Sequence, residues 1–526
     1  MRQLLYLFLL TLVWMSPAAS AQSVPLERLT PQNLHRLTQI GLIQRGTIEE
    51  IAWTPDETQI VVGGSAGARI YTIDGGREQL LLGHQGAVND VDISPGGREV
   101  ISVGNDGTLR MWDMRTGLLL QIFNPYADLA CDCVFRLTSA KFTADGLGIW
   151  VGAENGPLRI INVETGSVVA ENPRNVLEIV PDADRSRFAV IEPHSSHVTI
   201  WTTLGDFVPV RDIDVRFTVW NVSFIPGGRS LIIAGFVGAQ LTVVDLDTSE
   251  ITDMVRGSRV VHAGSLGSLA TQAIDWTSSG RRIWLRISSV ASSAVQYSAP
   301  LGTELTDVEF SPHGELVAYS ETNGALRVVH WRHNQVLMDV PPRGTALIGL
   351  ELIEDNFVAA IDTEIGVIQT LTRFTAPAGS VIRIFSLASG REVASISTIP
   401  YGLLSADVLH WDAEFRWLVA TSTAQPNIQL AIEPASRSVR VVDFYLVPLL
   451  ADEMFFDEHP DALLTAEGTA TEDVRIYEVA NFGNRVILRD AGPSVRFTAD
   501  GRMLLTSGLT GAIQIWAVPE ITPSAH

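Results

Sequence analysis

The sequence predicts an all-β protein made of about eleven copies of a small antiparallel sheet. Short apolar strands recur in pairs, each joined by a tight turn such as Pro-Gly-Gly or Ala-Asp-Gly, and this pattern is typical of hairpins. Consecutive turns lie about 33 to 58 residues apart, which indicates one repeated sheet unit of about 40 to 45 residues. Stretches with helical periodicity are nearly absent, so few helices are expected.

Each repeat consists of a strand, a turn and a second apolar strand, and in most repeats a third strand follows. A small sheet cannot bury both of its faces alone, so the copies are expected to stack against one another. The eleven strand–turn–strand segments are residues 51–64, 91–104, 140–153, 177–191, 222–235, 274–287, 308–321, 350–362, 408–422, 454–468 and 495–508.

The most informative repeat spans residues 83–113, GHQGAVNDVDISPGGREVISVGNDGTLRMWD. Its Asn-Asp-Gly turn supplies the positive backbone φ that a tight hairpin needs. The stretch opens on Gly-His, closes on Trp-Asp and resembles one blade of a WD-repeat β-propeller. The resemblance implies a buried hydrogen-bond relay from Trp112 through Ser102 and His84 to Asp106, in which the histidine is structural rather than catalytic. The other repeats resemble this pattern only in degenerate form.

The two ends of the chain are expected to meet in the last sheet. The final repeat keeps Thr506 and Trp516 of the relay but has only three strands. Segment 37–44 is apolar and has no repeat of its own, so it is predicted to supply the missing strand and to cover a free edge. Eleven repeats exceed the roughly four to eight blades of one ring. Two joined propellers with a boundary near residue 300 are therefore expected, and a single oversized ring is the alternative.

The first 21 residues have the features of a secretory signal peptide. An apolar run from Leu4 to Val13 follows Arg2, and small residues lead to a cleavage site after Ala21. A membrane anchor is the alternative, but the run is shorter than the ~20 residues that a span needs. The predicted divisions of the chain are a signal peptide 1–21, an N-terminal segment 22–36, propeller repeats 37–300 and 301–521, and a tail 522–526.

Composition narrows the class of partner. The net charge is −22 and the isoelectric point is about 4.9, whereas binding to a phosphate backbone needs a basic face. Nucleic acid is therefore not expected as a partner. No second long apolar run follows the N-terminal one, so a stable membrane span is not expected either. Cys131 and Cys133 are the only cysteines, too few for a disulfide framework and, by themselves, for a zinc site.

The sequence assigns no catalytic, cofactor-binding or metal-binding residue, and no cofactor is expected. Residues 63–67 (GGSAG) match a serine-nucleophile turn, but a strand follows where that motif needs a helix. Six residues are weighed as metal ligands and interpreted as turn or solvated loop residues: Asp182, Asp184, His194, His197, Asp245 and Asp247. Six tryptophans at strand positions are interpreted as core rather than as a ligand platform: Trp53, Trp150, Trp201, Trp220, Trp276 and Trp284.

Loop lengths indicate which face contacts a partner. The turns between first and second strands, and between third and fourth strands, are short. Crossovers and second-to-third connections lie on the opposite face and include the long segments, and long loops on a rigid scaffold commonly carry binding. The long segments are 124–136, 255–268, 363–380 and 423–438. Neutral insertions, which are tolerated because loop closure costs little, are the alternative.

These features predict an exported, bacterial, non-catalytic scaffold that binds proteins or peptides through its long-loop face. The alternative is a propeller enzyme of the lactonase or glycan-cleaving kind, with its active site on the central axis. That enzyme needs acidic or histidine side chains converging from several inner strands, and the inner strands are interpreted as mainly apolar or Thr/Ser-bearing. A passive envelope component is a third possibility.

Overall fold

The computed structural model describes residues 25–520 with gaps. The gaps are residues 44–45, 74–76, 130–134, 203–206, 226, 236–240, 255–260, 278–279, 291, 341–346, 355, 363–379, 399, 401–402, 404–405, 407, 414, 423–424, 426–427, 435, 437, 443–455, 470–472, 480–482, 490 and 509–510. The predicted signal peptide, the pair Cys131 and Cys133, the loop 363–379 and the tail 522–526 therefore lie outside the described residues.

Eleven antiparallel sheets make up the described fold, in agreement with the number of repeats. Ten sheets have four strands, and the strands of each follow chain order. The described helical structure is one short 3₁₀ turn, η1 (Leu34–Arg36). Within the described residues no helix has the length and apolar character that crossing a bilayer requires. The fold is therefore an all-β assembly of WD-like blades, as predicted.

The first seven sheets occupy residues 48–340. In order, they are β3 (Ile48–Trp53), β4 (Gln59–Gly64), β5 (Gly67–Thr72) and β6 (Glu78–Leu81); β7 (Val88–Ile93), β8 (Glu99–Gly104), β9 (Leu109–Asp113) and β10 (Leu119–Phe123); β11 (Leu137–Phe142), β12 (Gly148–Ala153), β13 (Gly156–Asn162) and β14 (Val168–Asn172); β15 (Glu178–Pro181), β16 (Arg187–Ile191), β17 (His197–Thr202) and β18 (Arg211–Asp214); β19 (Val219–Phe224), β20 (Ser230–Gly235), β21 (Leu241–Asp245) and β22 (Ile251–Met254); β23 (Val261–Gly264), β24 (Ser268–Thr277), β25 (Gly280–Ser289) and β26 (Val295–Leu301); and β27 (Leu305–Phe310), β28 (Leu316–Glu321), β29 (Leu326–His330) and β30 (Gln335–Val340).

The other four sheets use the rest of the chain and its N-terminal segment. They are β31 (Leu347–Ile353), β32 (Phe357–Asp362), β33 (Val381–Ser386) and β34 (Glu392–Ser397); β35 (Val408–Asp412), β36 (Trp417–Thr421), β37 (Gln429–Glu433) and β38 (Ser438–Val442); β39 (Phe456–Glu458), β40 (Leu464–Gly468), β41 (Val474–Glu478) and β42 (Gly483–Leu488); and β43 (Ser494–Phe497), β44 (Met503–Ser507) and β45 (Ile513–Pro519) with β1 (Leu26–Glu27) and β2 (Thr38–Ile43).

The first seven sheets pack into a closed ring. Each sheet shares a buried apolar cluster with the next one, and burial of such surface is worth about 25 cal/mol per Å². The seventh sheet returns to the first, because Val328 and Met338 pack in one cluster with Ile51 and Ile60. The innermost strands β3, β7, β11, β15, β19, β23 and β27 therefore surround a common axis.

The remaining sheets form a second group. The eighth sheet shares one cluster with the ninth and another with the eleventh, and the tenth shares a third with the eleventh. Within the described residues no shared cluster joins the ninth and tenth sheets. The boundary expected near residue 300 falls between the sixth and seventh sheets, which share a core cluster. We therefore move it to residues 341–346, and the division into two propellers stays a proposal.

The predicted closure by the N-terminal segment is confirmed. β2 pairs antiparallel with β45 in the register Thr38 to Ala517 and Ile43 to Ile513. β1 pairs with the end of the same strand, from Leu26 to Pro519. Leu29 and Leu34 are fully buried in the cluster of the tenth and eleventh sheets. Both ends of the described chain are thus held in one sheet.

Two loop predictions need correction. The sequence predicts one crossover over residues 255–268, but β23 lies inside that range and is the innermost strand of the sixth sheet. The predicted first and second strands of this repeat, β24 and β25, are therefore its second and third strands. The ten-residue strands β24 and β25 carry the stronger hairpin pattern, which hides the four-residue β23. The insertion predicted over 423–438 ends earlier, because β37 begins at Gln429.

The relay in the second sheet is confirmed atom by atom. The indole Nε1 of Trp112 donates to Ser102 Oγ over 2.8 Å, and that oxygen lies 2.8 Å from His84 Nε2. Because the ionised carboxylate of Asp106 only accepts, His84 Nδ1 donates to Asp106 Oδ2, 3.0 Å away. Burial would raise the pKa of Asp106, but His84 and two backbone donors hold it well below its usual range. In the eleventh sheet Trp516 Nε1 donates to Thr506 Oγ1 over 3.0 Å.

We expect Trp112→Ala to lower the free energy of unfolding by about 3–5 kcal/mol, because it opens a cavity and leaves the Ser102 hydroxyl without its donor. Chemical denaturation measures the change. Trp220→Ala is the matched control, since that side chain is 43% exposed, and it should cost less than about 1 kcal/mol. Equal losses in the two variants would contradict the relay.

Candidate functional site

A charged channel runs along the axis of the seven-sheet ring. Its volume is 1320 Å³, and the innermost strands of all seven sheets contribute to its wall. Among its described lining residues, nine are Asp or Glu and three are Lys or Arg. The carboxylates are Glu49, Glu50, Asp90, Asp92, Glu154, Glu178, Asp182, Asp307 and Glu309, and the cations are Arg136, Lys141 and Arg185.

The channel contradicts the interpretation of the inner strands as mainly apolar or Thr/Ser-bearing. Four of the seven, namely β3, β7, β15 and β27, carry Asp or Glu on the channel wall. Three of these strands have a β-bulge just before an axial carboxylate, at Glu50, Asp90 and Asp307. A bulge re-aims the side chain that follows it. The flanking apolar residues stay buried in the sheet clusters, so the carboxylate is the residue left facing the axis.

Lys141 is the central cation of the channel. Its ammonium group donates to Asp90 Oδ1 over 2.6 Å and to Glu50 Oε1 over 3.0 Å. Its side chain is 10% exposed and that of Asp90 is 4% exposed. Burial would lower the pKa of Lys141, but the carboxylates of Asp90 and Glu50 outweigh burial and raise it well above its usual value. The lysine therefore stays charged and links the first three sheets.

Arg185 neutralises a second carboxylate on the same wall. It lies in the turn between β15 and β16 with a backbone φ of 57°. Its guanidinium makes two bonds to Asp92, of 2.6 and 2.8 Å, and donates to the carbonyl of Phe142 over 3.0 Å. Burial would raise the pKa of Asp92, but Arg185 outweighs it and lowers that pKa. The turn of the fourth sheet is thus fastened to the second and third sheets.

The remaining axial carboxylates have less compensation. Burial, helped by the charges of Asp90, Asp307 and Glu309 and opposed by Lys141, raises the pKa of Glu178 to about 8. Burial and the neighbouring Glu309 raise the pKa of Asp307 to about 7. These groups belong to the fourth and seventh sheets, so carboxylates from two separate walls influence one another inside the channel. No described Lys or Arg forms an ion pair with any of Glu178, Asp307 and Glu309.

One histidine shares this part of the channel. His262 Nδ1 lies 2.6 Å from Glu309 Oε2. Burial would lower the pKa of His262, but Glu309 outweighs it and raises that pKa. The pKa of His262 therefore lies above its usual value, and in its protonated form the imidazole compensates one carboxylate of the three.

Two tryptophan side chains add aromatic surface to the charged channel wall. Trp53 and Trp220 line the channel, and Trp220 is 43% exposed. The prediction that the six tryptophans are core is therefore wrong for Trp220, whereas Trp53 is partly buried and also packs against the core cluster of the first and seventh sheets. Trp150 and Trp201 are fully buried, as predicted. An aromatic face beside carboxylates is favourable for a cationic group.

The other residues weighed from the sequence serve as turn and strand contacts. Residues 63–67 lie at the β4–β5 hairpin, where Ser65 Oγ accepts the N–H of Thr47 over 2.9 Å. Asp245 Oδ1 accepts the N–H groups of Asp247 and Thr248 within its own turn. His197 Nδ1 lies 2.9 Å from Asp212 Oδ1.

The first acidic pair also caps its own turn. Asp182 accepts the N–H of Arg187, and Asp184 accepts that of Ser186. His194 lies at the channel wall. Within the described residues no group of three or more His, Cys, Asp and Glu side chains is arranged to hold a metal ion.

Removal of the central lysine is expected to destabilise the ring. Lys141→Met leaves Asp90 and Glu50 without their cation, and breaking one side of a buried pair costs about 3–5 kcal/mol. Arg416→Met is the matched control: it breaks the pair with Glu354, whose two side chains are 71% and 45% exposed. Such a surface pair contributes about 0–1 kcal/mol. A loss in Lys141→Met no larger than in the control would show that Lys141 does not hold the ring.

The raised pKa of Glu178 makes stability depend on pH in a defined direction. The folded state keeps a proton on Glu178 that the unfolded state loses above about pH 4.5. The contribution of Glu178 to the free energy of unfolding is therefore greatest below that pH and is lost as the pH rises through about 8. Between about pH 5 and pH 9 the free energy of unfolding should therefore fall in both proteins, and the fall should be smaller in Glu178→Gln than in the natural protein by at least about 1 kcal/mol. Denaturation at both pH values measures this, with the exposed Glu354→Gln as control. Parallel pH profiles for the natural protein and Glu178→Gln would overturn the prediction.

Comparison with known proteins identifies the repeat that carries the relay. The family model "WD domain, G-beta repeat" matches residues 76–113. The chain is similar to guanine nucleotide-binding protein subunit beta of Nicotiana tabacum, at 28% identity over 127 residues that cover 23% of this chain and 33% of that protein. It is also similar to autophagy-related protein 16 of Arabidopsis thaliana, at 27% identity over 131 residues and 24% of each chain.

A cyanobacterial relative has the same kind of match. An uncharacterised WD repeat-containing protein of Synechocystis sp. is 37% identical over 81 residues, which cover 15% of this chain and 21% of that protein. The matches span about a third or less of these relatives' lengths. With the eleven small sheets and the complete Trp–Ser–His–Asp relay, they show that the chain is a WD-repeat protein.

Proposed function

We propose that this protein is a non-catalytic scaffold that binds a partner protein by accepting a lysine or arginine side chain into the channel of its seven-sheet ring. Similarity to WD-repeat proteins supports a role in protein–protein interaction. The single observation that carries the finer proposal is the surplus of carboxylates over cations on the channel wall. Such a wall attracts a basic group and disfavours an acidic one.

Three carboxylates that form no ion pair with a described lysine or arginine select the ligand chemistry. Lys141 and Arg185 already neutralise Asp90 and Asp92. Glu178, Asp307 and Glu309 share the remaining space with one histidine. A guanidinium or ammonium group placed there would gain charge-assisted hydrogen bonds, which are stronger than neutral ones. We therefore assign the cation-accepting position to these three carboxylates.

The partner enters from the long-loop face in this proposal. Glu49 and Trp220 are each the second residue of their inner strand, and both are exposed at that mouth of the channel. The second group of sheets also reaches this face, because Gln85 Nε2 donates to the Leu37 carbonyl over 3.1 Å. It lies beside the second sheet, so a partner would use the mouth nearer the first and fifth sheets.

Peptide binding tests the proposal. A short fluorescent glycine–serine peptide with one central arginine should bind, and the same peptide with norleucine in place of arginine should not. The double variant Asp307→Asn, Glu309→Gln should weaken binding at least about tenfold, or about 1.4 kcal/mol. Fluorescence anisotropy at low and high salt measures both, and added salt should weaken binding.

The exposed Glu354→Gln is the control, and it should bind like the natural protein. Equal binding of the arginine and norleucine peptides would overturn the cation-accepting role of the channel. So would unchanged affinity in the double variant, provided that its melting temperature shows it is folded.

A second candidate function rests on the same carboxylates. Glu178, with its pKa at about 8, lies near Lys141 in a cavity large enough for a small substrate. Proton-transfer groups of enzymes have such shifted pKa values. This favours the axial enzyme considered from the sequence. Hydrolysis of a lactone or aryl glycoside that Glu178→Gln abolishes would favour the enzyme over the scaffold.

Export is part of the proposed function. The N-terminal apolar run and the small residues before Gln22 support secretion of a mature chain that begins at this residue. N-terminal sequencing of protein recovered outside the cytoplasm of a bacterial host should give Gln22 as the first residue. An uncleaved Met1 terminus on cytoplasmic protein would contradict export.

A further inference from the structure

We propose that entry of a cationic side chain into the channel expels protons from its carboxylates, so that the protein holds a basic partner more tightly as the pH rises. This inference rests on the proposed function and names the control on that same site. It follows from the crowding of like charges that the seven-sheet ring imposes. A proton and a partner's cation compete for the same negative charge.

The channel wall places more carboxylates than cations in one space. Asp307 and Glu309 are two residues apart on β27 and influence Glu178 from another wall of the ring. Like charges that share one channel oppose one another's ionisation, and a proton on one of them relieves the repulsion. Below the pKa of Glu178, at about 8, the channel is therefore expected to hold at least one proton.

The other charged groups facing this position do not remove that requirement. Lys141 on β11 is already held by Asp90 and Glu50, and Arg185 is held by Asp92. Even beside Lys141, burial raises the pKa of Glu50 well above its usual value, so Glu50 adds to the protons that the channel can hold. β19 contributes no titratable described side chain to the wall. The titratable and charged groups around Glu178 and Asp307 are thus Glu50, Asp90, Asp92, Lys141, Arg185, His262 and Glu309.

An arriving arginine replaces the stored proton. The guanidinium stays charged throughout the relevant pH range, so its approach favours the ionised carboxylates and releases their protons to solvent. Burial raises the pKa of Glu178 to about 8 and that of Asp307 to about 7. Proton release is therefore expected below about pH 8 and should disappear above about pH 9, where the carboxylates are already ionised.

His262 acts in the same direction and has to be separated from the carboxylates. Its pKa is raised, chiefly by Glu309 against the effect of burial, so at lower pH its positive charge repels an arriving cation. Loss of that charge as the pH rises would also strengthen binding. Replacement of a carboxylate, with His262 left in place, distinguishes the two sources.

The experiment is calorimetric titration of the natural protein with the single-arginine glycine–serine peptide. At about pH 6.5 the titration is run in two buffers of different ionisation enthalpy, because the difference in heat counts the protons released. We expect one to two protons per peptide and, accordingly, a dissociation constant that falls about tenfold to a hundredfold per pH unit between pH 6 and pH 7.

The variants identify which groups release the protons. Glu178→Gln should release about one proton fewer, and Glu354→Gln should match the natural protein. If His262→Gln abolishes the proton release and Glu178→Gln leaves it unchanged, the assignment to the carboxylates is overturned. Asp307→Asn gives a second reading if Glu178→Gln folds poorly: the asparagine carbonyl can still accept the N–H of Ile51 but not also that of Val308, so its melting temperature is measured alongside.

The result separates the two proposals. Peptide binding with no proton release and the same affinity from pH 6 to pH 8 would overturn the inference and leave the proposed function standing. Absence of binding at every pH would overturn the proposed function itself, and the inference with it.

Discussion

A side chain on one inner strand that accepts a backbone N–H from the inner strand of the next sheet is the interaction on which the ring depends. Asp90 Oδ2 accepts the N–H of Ala140 over 2.9 Å, and Asp307 Oδ2 closes the ring by accepting that of Ile51 over 2.8 Å. Ser139 Oγ accepts that of Ile179 over 3.1 Å. An inner strand has no strand partner on its axial side, so these bonds satisfy donors that would otherwise face the channel unpaired. Apolar clusters hold the sheets together, and this polar girdle fixes their angle around the axis.

The girdle explains why the channel is polar, but not why it is so acidic. Serine performs the same task at position 139 without any charge, so the fold does not require carboxylates there. Glu178 lies at the corresponding place in the fourth sheet, and no described backbone N–H donates to it. Burying its negative charge is unfavourable, and no hydrogen bond of the girdle compensates for it. A group of that kind is better explained by a ligand than by ring closure, which is the reason for placing function in the channel.

The sequence predicts the local features of this protein better than its site. The eleven sheets, the relay around Trp112 and the strand at 38–43 were all predictable, because hairpin turns, relay spacing and an unpaired apolar strand are visible within one or two repeats. The acidic channel is not local: Glu50 and Asp307 are more than 250 residues apart, and only closure of the ring brings them together. Within one repeat, each carboxylate looks like an ordinary solvent-facing residue of an alternating strand. The short β23 was missed for a related reason, since the longer hairpin after it dominates the pattern.

Ring closure and charge control can coexist because Asp307 uses its two oxygens differently. Oδ2 accepts the N–H of Ile51, and Oδ1 accepts that of Val308 over 2.7 Å. A carboxyl group that gains a proton can still accept through its carbonyl oxygen, so the bond that closes the ring does not have to break when the charge changes. Lys141 and Arg185 hold their carboxylates on the other walls independently. The ring can therefore keep its shape while the charge at its axis changes, and a rigid wall of adjustable charge is what a pH-sensitive cation site requires.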